Sequence, residues 1–594
     1  MVKRAGAAYV LFVALIACFS FGKASFAATT EEAIRASGAG VQQQQITDQF
    51  RRQRKQSEQP AGQEPALIQE KPVAGVVQAP FDSTMKFRVS AIDVVNGLKA
   101  QDASTQALVS LYLNRDITFA DLKELADKIT RLYSQEGYLT TSAYVPEQEI
   151  KDRAKITVAI GKIGTVSVQG NKFIKPETLE RLMKSEPEVP FRYGVLRNDL
   201  LRINRSPDRL VEAALTPGKA PQTSDVLLTM KEDKFPMHGS FDWSNTGNPF
   251  TSVDRFGFNI WDTNTLGFDD QLSGRFVMGE SDRIYAVSAD YNIPWPHSSV
   301  RFGSLYNYSR VHLGNFLKPL EIQGYAYQLK PYTQFRLADN DFSLGAKAAH
   351  LQTDMGLAFD FKDIRQKLLG SESGKDVLRV QRVELNFQEE DAWGVSVLNN
   401  EFSLGIPRIF GAMRRVDPSA TRVGGGGQFF KYRGSLLRVT RLPWSAFWMF
   451  RASTLLSQDM LVSAEQFYMG GSDSVRGYQE GEYPADVGFT TSNELRVPVY
   501  LIPQNLEVPS FLSKKPTKWY DVFQMVGFVD QGFGKLHNPE LGSLRSDNML
   551  GIGLGGRATL GGISGRVDWG FPLGQAPIDG KSSHFYFMLR MEFP

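Results

Sequence analysis

From Phe235 to the C-terminus, the sequence consists of long stretches in which apolar and polar residues alternate. Alternation with a period of two predicts β-strands whose two faces meet different surroundings. Many stretches reach ten to fifteen residues, whereas strands of soluble sheets usually have about 5–6, and a tilted strand needs about 9–11 to cross a bilayer. About sixteen strands are predicted, at residues 237–246, 251–263, 267–280, 282–294, 299–314, 322–338, 342–357, 376–388, 392–406, 428–442, 444–458, 488–500, 520–534, 546–560, 562–573 and 583–593.

The last of these strands, HFYFMLRMEF, indicates what the two faces meet. One face carries His584, Arg590 and Glu592 among its residues, and the other is entirely apolar. The apolar face consists of Phe585, Phe587, Leu589, Met591 and Phe593. A soluble sandwich also alternates, but it does not usually need sixteen long strands or a wall with charges on most strands. The sequence therefore predicts a closed antiparallel β-barrel in an outer membrane, apolar outside and polar inside.

The connections between these strands predict an orientation. They are short at residues 263–267, 295–298, 339–341 and 389–391 and around Pro443, and long at 358–375, 407–427 and 459–487. In such barrels short turns face the periplasm and long loops face outwards. Residues 501–519 do not fit this rule, because they form a long connection where a short periplasmic turn is expected.

The N-terminus has the pattern of an export signal. Lys3 and Arg4 precede an apolar run, and Ser25-Phe26-Ala27 has small residues where a signal peptidase cleaves. Residues 1–27 are therefore predicted to be a signal peptide. Leu15-Ile16-Ala17-Cys18 also resembles a lipoprotein box, so lipidation of Cys18 is an alternative. Cys18 is the only cysteine, and its removal would leave no disulfide or thiolate metal site.

Three segments separate the signal from the barrel. Residues 28–83 predict a polar helix, to about Gln56, followed by a proline-containing linker, although a disordered leader is the alternative. Residues 84–161 and 162–234 then predict two small α+β domains with the same element order of strand, helices, strand and strand. The clearest helix begins at Thr118, which can cap it together with Asp121.

Composition and motifs argue against several functions. The 67 Lys and Arg residues nearly balance the 64 Asp and Glu residues, which gives no electrostatic reason to expect nucleic acid as a partner. The sequence GIGLGG at residues 551–556 has no helix after it, so small residues facing a crowded lumen are a better interpretation than a dinucleotide site. We predict no catalytic residue, no metal site and no cofactor, since no triad is found and the histidines have no metal-ligand spacing. Those histidines are His238, His297, His312, His350, His537 and His584.

Two small modules ahead of a barrel resemble the two-partner secretion transporters (TpsB-type), whose superfamily includes the BamA-type barrel assemblers. The modules look like POTRA domains. The most specific resemblance lies in Val475-Arg476-Gly477-Tyr478, which matches the superfamily's VRGY loop motif. One strand later, residues 528–532 match its FxDxG motif through Phe528, Asp530 and Gly532. The family commonly ends on an aromatic residue, whereas here Pro594 follows Phe593.

The resemblance implies a lumenal site. The loop at 459–487 would fold into the barrel, where the guanidinium of Arg476 needs an anionic partner. Alternation makes Asp530 point inwards, and the family resemblance implies the same pair. Inward-facing charges on the terminal strands could support it, although a solvated network is the simpler interpretation. These charges are Glu494, Arg496, Arg566 and Asp568.

The resemblance also implies a function. The modules would capture an unfolded exoprotein in the periplasm, and this client would cross the barrel without nucleotide hydrolysis. The N-terminal helix would plug the lumen at rest. Outer-membrane lipids and the barrel assembly machinery are further expected partners. The alternatives are a factor that inserts other barrels, which as a rule carries more modules, and a passive porin, which has no reason to carry any.

Overall fold

The computed structural model describes residues 38, 41–43, 69–70, 86–183, 189–204, 206, 208–232, 235–296, 298–344, 347–509, 516–539 and 543–593. The predicted signal peptide, Cys18, Pro594 and most of the predicted helix and linker lie outside these residues. Among the helices of the described residues, none has the length and apolar character needed to cross a membrane.

The first small domain contains two helices packed on a three-stranded sheet. Its core lies between the sheet and α2, whose Leu122, Leu125 and Ile129 are fully buried on one face. The predicted cap of α2 is confirmed, because Thr118 and Asp121 form a reciprocal capping box. The elements are β2 (Lys86–Arg88), β3 (Ala91–Val95), α1 (Ala103–Ser110), β4 (Asp116–Thr118), α2 (Phe119–Gln135), β5 (Ser142–Tyr144) and β6 (Arg153–Ala159). The sheet order is β3-β6-β5, with β2 and β4 paired separately.

The second small domain repeats this plan and gains one strand from the linker. Its elements are β7 (Lys162–Gln169), α3 (Pro176–Leu182), α4 (Tyr193–Ile203), β8 (Leu210–Pro217) and β9 (Thr223–Lys231). The linker strand β1 (Gln69–Glu70) pairs in parallel with β8, so the sheet order is β1-β8-β9-β7. Leu179, Leu196 and Leu228 are fully buried in the core between helices and sheet.

The remainder of the chain is a closed barrel, which confirms the predicted fold. Neighbouring strands are antiparallel, and the last strand closes the barrel by pairing with the first, Phe593 opposite Gly239. The strands are β10 (Met237–Ser244), β11 (Arg255–Asp262), β12 (Gln271–Gly279), β13 (Ile284–Pro294), β14 (Val300–His312), β15 (Gln323–Leu344), β16 (Lys347–Leu368), β17 (Ser371–Asp391), β18 (Gly394–Gly405), β19 (Phe429–Arg441), β20 (Phe447–Ser457), β23 (Val487–Pro498), β24 (Phe523–Lys535), β25 (Ser546–Leu560), β26 (Ile563–Pro572) and β27 (His584–Phe593). Two short strands, β21 (Phe467–Met469) and β22 (Tyr483–Ala485), pair inside a loop, and α5 (Trp519–Val522) precedes β24.

The alternation produces an apolar outer surface and a polar lumen. On β27, Phe585 and Phe593 are more than half exposed on the outer face, whereas Tyr586 is buried on the inner face. The small domains precede β10, so β10 begins at the end of the barrel that carries these domains. Every second barrel strand after it, including β18 and β20, begins at the same end. The long loops 406–428 and 458–486 therefore leave from the opposite end.

One predicted loop is wrong. Residues 358–375 were expected to form a long connection, but β16 and β17 continue through them and join at Leu369–Gly370. Both residues have positive φ, 50° and 78°, as a tight two-residue hairpin requires. The short turn expected at 339–341 is also wrong, because β15 continues to Leu344. The strands β15, β16 and β17 therefore have 21–22 residues, where shorter strands and a loop were expected. They are this long because the strands continue beyond the apolar band, where their residues are mostly polar.

Candidate functional site in the barrel lumen

The segment between β20 and β23, residues 458–486, is called the lumenal loop here. Its VRGY motif lies against inward-facing side chains of the last strands. Val475 and Tyr478 are buried, and the side chain of Arg476 is only 1% exposed. An arginine this deeply buried requires several acceptors to offset its desolvation.

Arg476 has those acceptors on two neighbouring strands. Its Nε donates to Oδ2 of Asp530 at 2.7 Å, and its Nη2 donates to Oδ1 at 2.9 Å, so the contact is bidentate. Its Nη1 donates to Glu494 at 2.8 Å, and its Nη2 donates also to Ser492 at 3.1 Å. The backbone N–H of Arg476 donates to Asp530 at 3.1 Å. A bidentate contact of this kind fixes the orientation of the guanidinium and also makes the ion pair stronger.

The other two residues of the FxDxG motif also contact the loop. The ring of Phe528 lies under the guanidinium of Arg476, with 3.4 Å between the guanidinium carbon and the ring centre. Gly532 leaves room for Val475, because a Cβ at Gly532 would lie 2.9 Å from Cγ2 of that valine. The two motifs therefore fit each other residue by residue.

The last strand holds the backbone after Arg476. Gly477 has a φ of 106°, which favours glycine, and its N–H donates to the hydroxyl of Tyr586 at 3.1 Å. That hydroxyl donates to the carbonyl of Tyr478 at 2.6 Å. Nδ1 of His584 lies 2.8 Å from the carbonyl oxygen of Gly477. Sequence reasoning placed His584 on the polar face of the last strand but assigned neither His584 nor Tyr586 to the site.

The glycines of GIGLGG leave the inner wall of the barrel without side chains beneath the VRGY motif. A Cβ on Gly551 would lie 1.9 Å from the carbonyl oxygen of Arg476. A Cβ on Gly553 would approach the Phe528 ring within 2.4 Å, and one on Gly555 would approach Asp568 within 2.4 Å. Alternate glycines on β25 thus allow the loop, the ring and the carboxylate to pack against the wall.

The four charged residues predicted on the terminal strands join one network around Arg476. Arg496 donates to Glu494 at 2.7 Å, and Arg566 donates to Asp568 at 2.6 Å. Arg557, which sequence reasoning missed, contacts both carboxylates, at 3.2 Å and 2.8 Å. Alternation along β25 could have placed Arg557 on the same face as Gly551, Gly553 and Gly555.

Two further charged contacts, also missed, hold the ends of the lumenal loop. Glu465, near its start, lies 2.5 Å from Lys431 and 2.6 Å from Lys362, and it also contacts Arg382 at 3.3 Å. At its end, Asp486 accepts from Arg422 of the loop between β18 and β19, at 2.6 Å. The alternation pattern carries no signal for these residues, because they lie in loops or pair across the lumen.

Two carboxyl groups of the loop have shifted pKa values. Burial alone would raise the pKa of Glu465, but Lys362, Lys431 and Arg382 outweigh it and hold that pKa well below its usual range. Burial raises the pKa of Glu482 to about 7, although the N–H groups of Ile578 and Gln479 donate to its carboxylate. A pKa near 7 means that the charge of Glu482 changes near neutral pH.

Comparison with known protein families identifies the chain. The family model of the haemolysin secretion/activation protein ShlB/FhaC/HecB matches residues 222–513, and the ShlB-type POTRA domain matches residues 87–160. The chain is a transporter of the two-partner secretion type. It lies in the outer membrane, with its POTRA domains in the periplasm, and it secretes a partner exoprotein.

Individual relatives agree with this assignment. The heme/hemopexin transporter protein HuxB of Haemophilus influenzae (strain 86-028NP) is 22% identical over 475 residues, 77% of this chain and 78% of HuxB. The outer membrane transporter CdiB of Escherichia coli is 25% identical over 555 residues, 90% of this chain and 85% of CdiB. The solved structure of CdiB from Escherichia coli shares the fold, with a TM-score of 0.66 at 22% identity over 97% of this chain and all of that one.

Proposed function

We propose that the client exoprotein crosses the barrel after the N-terminal helix leaves the lumen, without nucleotide hydrolysis and without enzymatic activity of the transporter. The observation that carries this proposal is the position of helical residues Val41–Gln43 inside the barrel. Nη2 of Arg255 on β11 donates to Gln42 at 3.1 Å, and Gln43 donates to the carbonyl of Ala326 on β15 at 3.4 Å.

These contacts suit a plug that is removable. The hydrogen bond from Gln43 is neutral and contributes only about 0.5–1.5 kcal/mol net, and the one that Gln42 accepts from the charged guanidinium of Arg255 contributes about 1.5–3 kcal/mol. The lumenal loop, by contrast, is held by buried ion pairs at residues 465, 476 and 486. We therefore assign the loop to the shaping of the conduit and the helix to its closure.

The POTRA domains are the proposed site of client capture. In the described part of the first domain, β5 pairs on one side only, with β6, so its other edge can accept an extended segment. The second domain already accepts such a segment, since Gln69 and Glu70 of the linker align with Ala214 and Leu215 of β8. Capture by strand addition needs no folded client.

The remaining partners follow from the barrel itself. Outer-membrane lipids would cover its apolar surface, and the barrel assembly machinery would insert the chain by reading β27. The outward-facing Phe593 of that strand, which pairs opposite Gly239 where the barrel closes, supports this assignment.

The plug is tested by channel recordings in planar bilayers. The change of Gln42 and Gln43 together to Ala is expected to raise the open probability, and deletion of residues 28–56 is expected to raise it further. The change of Gln63 to Ala, in the linker, is the matched control. A deletion variant that stays as closed as the wild type would rule out the plug.

Secretion is tested in two ways. Deletion of the gene should abolish release of its partner exoprotein, and full release would overturn the proposal. In proteoliposomes that lack nucleotide, the purified transporter should still move an unfolded client across the bilayer. A strict requirement for nucleotide would contradict the proposed mechanism.

A further inference from the structure

The outer face of the barrel carries a row of cations where β13 to β17 reach the cell surface. Strand register places Tyr285, Arg310, Tyr325, Arg365 and Lys375 directly opposite one another, one on each strand. The neighbouring inward residues Ile284, Val311, Ala326, Ile364 and Asp376 are buried, so the row points away from the lumen.

A second, shorter row lies immediately above the first. His312, Gln323 and Lys367 are opposite one another on β14, β15 and β16. Nζ of Lys367 lies 5.9 Å from the ring centre of Tyr325, and the guanidinium of Arg310 lies 5.6 Å from the same centre. The three cations of the first row and Lys367 of the second row are together called the cationic row here: Arg310, Arg365, Lys367 and Lys375.

Below the cationic row, the outward residues of β13 to β15 face lipid, whereas β16 and β17 carry the ion pair of Asp363 and Arg379. The next outward positions are Val287, Tyr308 and Tyr327, with 4.9 Å between the two tyrosine ring centres. Tyr306 and Leu329 follow, each more than 40% exposed. Aromatic residues mark the boundary of the apolar band in membrane barrels. The cationic row therefore lies at the height of the headgroups of the outer leaflet.

The positive charge of the cationic row is largely uncompensated by carboxylates of the protein. Among the described residues, no carboxylate oxygen lies within 4.0 Å of a side-chain nitrogen of the cationic row. The nearby Asp363 pairs with Arg379 at 2.8 Å, and Glu372 lies opposite Lys367 without an ion pair. At the periplasmic ends of the same strands, by contrast, Arg301 and Arg336 each contact an aspartate.

We propose that the cationic row binds the phosphate groups of a phosphorylated glycolipid in the outer leaflet. Guanidinium and ammonium groups bind phosphate with charge-assisted hydrogen bonds, and the tyrosine rings can contact the sugars and acyl chains beside it. A soluble anionic partner would not need a row that follows the edge of the apolar band. Bound glycolipid would brace strands β13 to β17, which contain the longest hairpins of the barrel.

The test compares two charge-removing variants. Arg365→Gln with Lys375→Gln removes two neighbouring charges of the row. Arg441→Gln with Lys518→Gln removes two exposed charges at the periplasmic end and is the matched control. Each basic residue at an anionic lipid surface contributes a factor of about five, so the first variant should retain about twenty-five-fold less glycolipid after purification. Mass spectrometry of the purified transporter measures this retention.

A second measurement needs no variant. Wild-type transporter in nanodiscs should be stabilised against heat by bis-phosphorylated lipid A, and less by the same lipid after enzymatic dephosphorylation. Equal stabilisation by both lipids, or equal stabilisation by inorganic phosphate alone, would overturn the proposal. So would equal glycolipid retention by the two variants, or cross-linking of the row to the exoprotein during secretion in place of glycolipid.

Discussion

The guanidinium carbon of Arg476 lies 3.4 Å from the centre of the Phe528 ring, while its nitrogen atoms donate to Asp530 two residues further along β24. One strand thus provides both an aromatic face and a carboxylate to the same cation. A desolvated cation–π contact contributes about 2 kcal/mol. Phe528→Leu keeps an apolar side chain and should reduce secretion several-fold, whereas Phe585→Leu, on the lipid face, should leave secretion unchanged. The level of exoprotein in the medium measures both.

Removal of the arginine should have a larger effect. Arg476→Ala leaves Asp530 without its bidentate partner, and loss of one member of a buried ion pair costs about 3–5 kcal/mol. We expect an inserted barrel with strongly reduced secretion, and only partial rescue by Arg476→Lys because an ammonium group cannot form the fork. Heat-modifiable migration on gels checks insertion. Normal secretion by Arg476→Ala would contradict the importance of this contact, and Arg441→Ala controls for loss of an exposed charge.

The flat wall of β25 gives a test that changes no charge. Gly551→Ala places a methyl group 1.9 Å from the carbonyl of Arg476, so the loop must move. Gly565→Ala on β26 meets no atom within 4 Å and is the matched control. We expect faster proteolysis of the lumenal loop in the first variant alone. Identical digestion of the two variants would show that the loop does not depend on this contact.

The start of the lumenal loop should depend on Glu465. Glu465→Gln leaves Lys362, Lys431 and Arg382 close together without their shared carboxylate, which should destabilise the loop by about 3–5 kcal/mol. Hydrogen exchange at residues 463–469 should become faster. Glu390→Gln removes a carboxylate that is 56% exposed and lies 3.8 Å from Arg441, so it should have little effect.

The same loop should loosen as pH rises. Because burial raises the pKa of Glu482 from its ordinary value of 4.5 to about 7, the native loop binds the proton more tightly than the unfolded chain does. Its contribution to stability is therefore complete below about pH 4.5 and is lost as pH rises through 7. Proteolysis of the loop should be faster at pH 8 than at pH 6. In Glu482→Gln this pH dependence should weaken, and a dependence as steep as that of the wild type would assign the effect to another group.

Periodicity predicted the barrel well because the physical constraint acts on every residue. A strand between lipid and water must alternate, and the sixteen predicted strands correspond to the sixteen of the barrel. The same signal was wrong at residues 358–375, because β16 and β17 run out of the apolar band there and carry charged residues on their outward faces. Beyond the membrane no lipid requires an apolar face, so a polar strand and a polar loop have similar sequences.

The residues of the candidate site also fall into two groups, those that the sequence predicted and those that it did not. The inward direction of Asp530, Glu494 and Asp568 follows from alternation along single strands, and resemblance alone directed attention to Arg476. Neither Glu465 nor Arg422 was predicted, because their partners lie far away in the sequence and no local period connects them. The glycines at 551, 553 and 555 were recognised as lumenal, but the groups that pack on them were not.

The sequence by itself determined the strand count, the lipid-facing and lumenal faces, and the order of the domains, since each of these depends on local alternation and composition. The family resemblance pointed to the loop that enters the lumen and to the pair of Arg476 and Asp530, whereas only the tertiary structure decided which further charges meet there and which cations form a row on the outer surface. Those contacts depend on strand register and on closure of the barrel, which bring together residues that are distant in the chain.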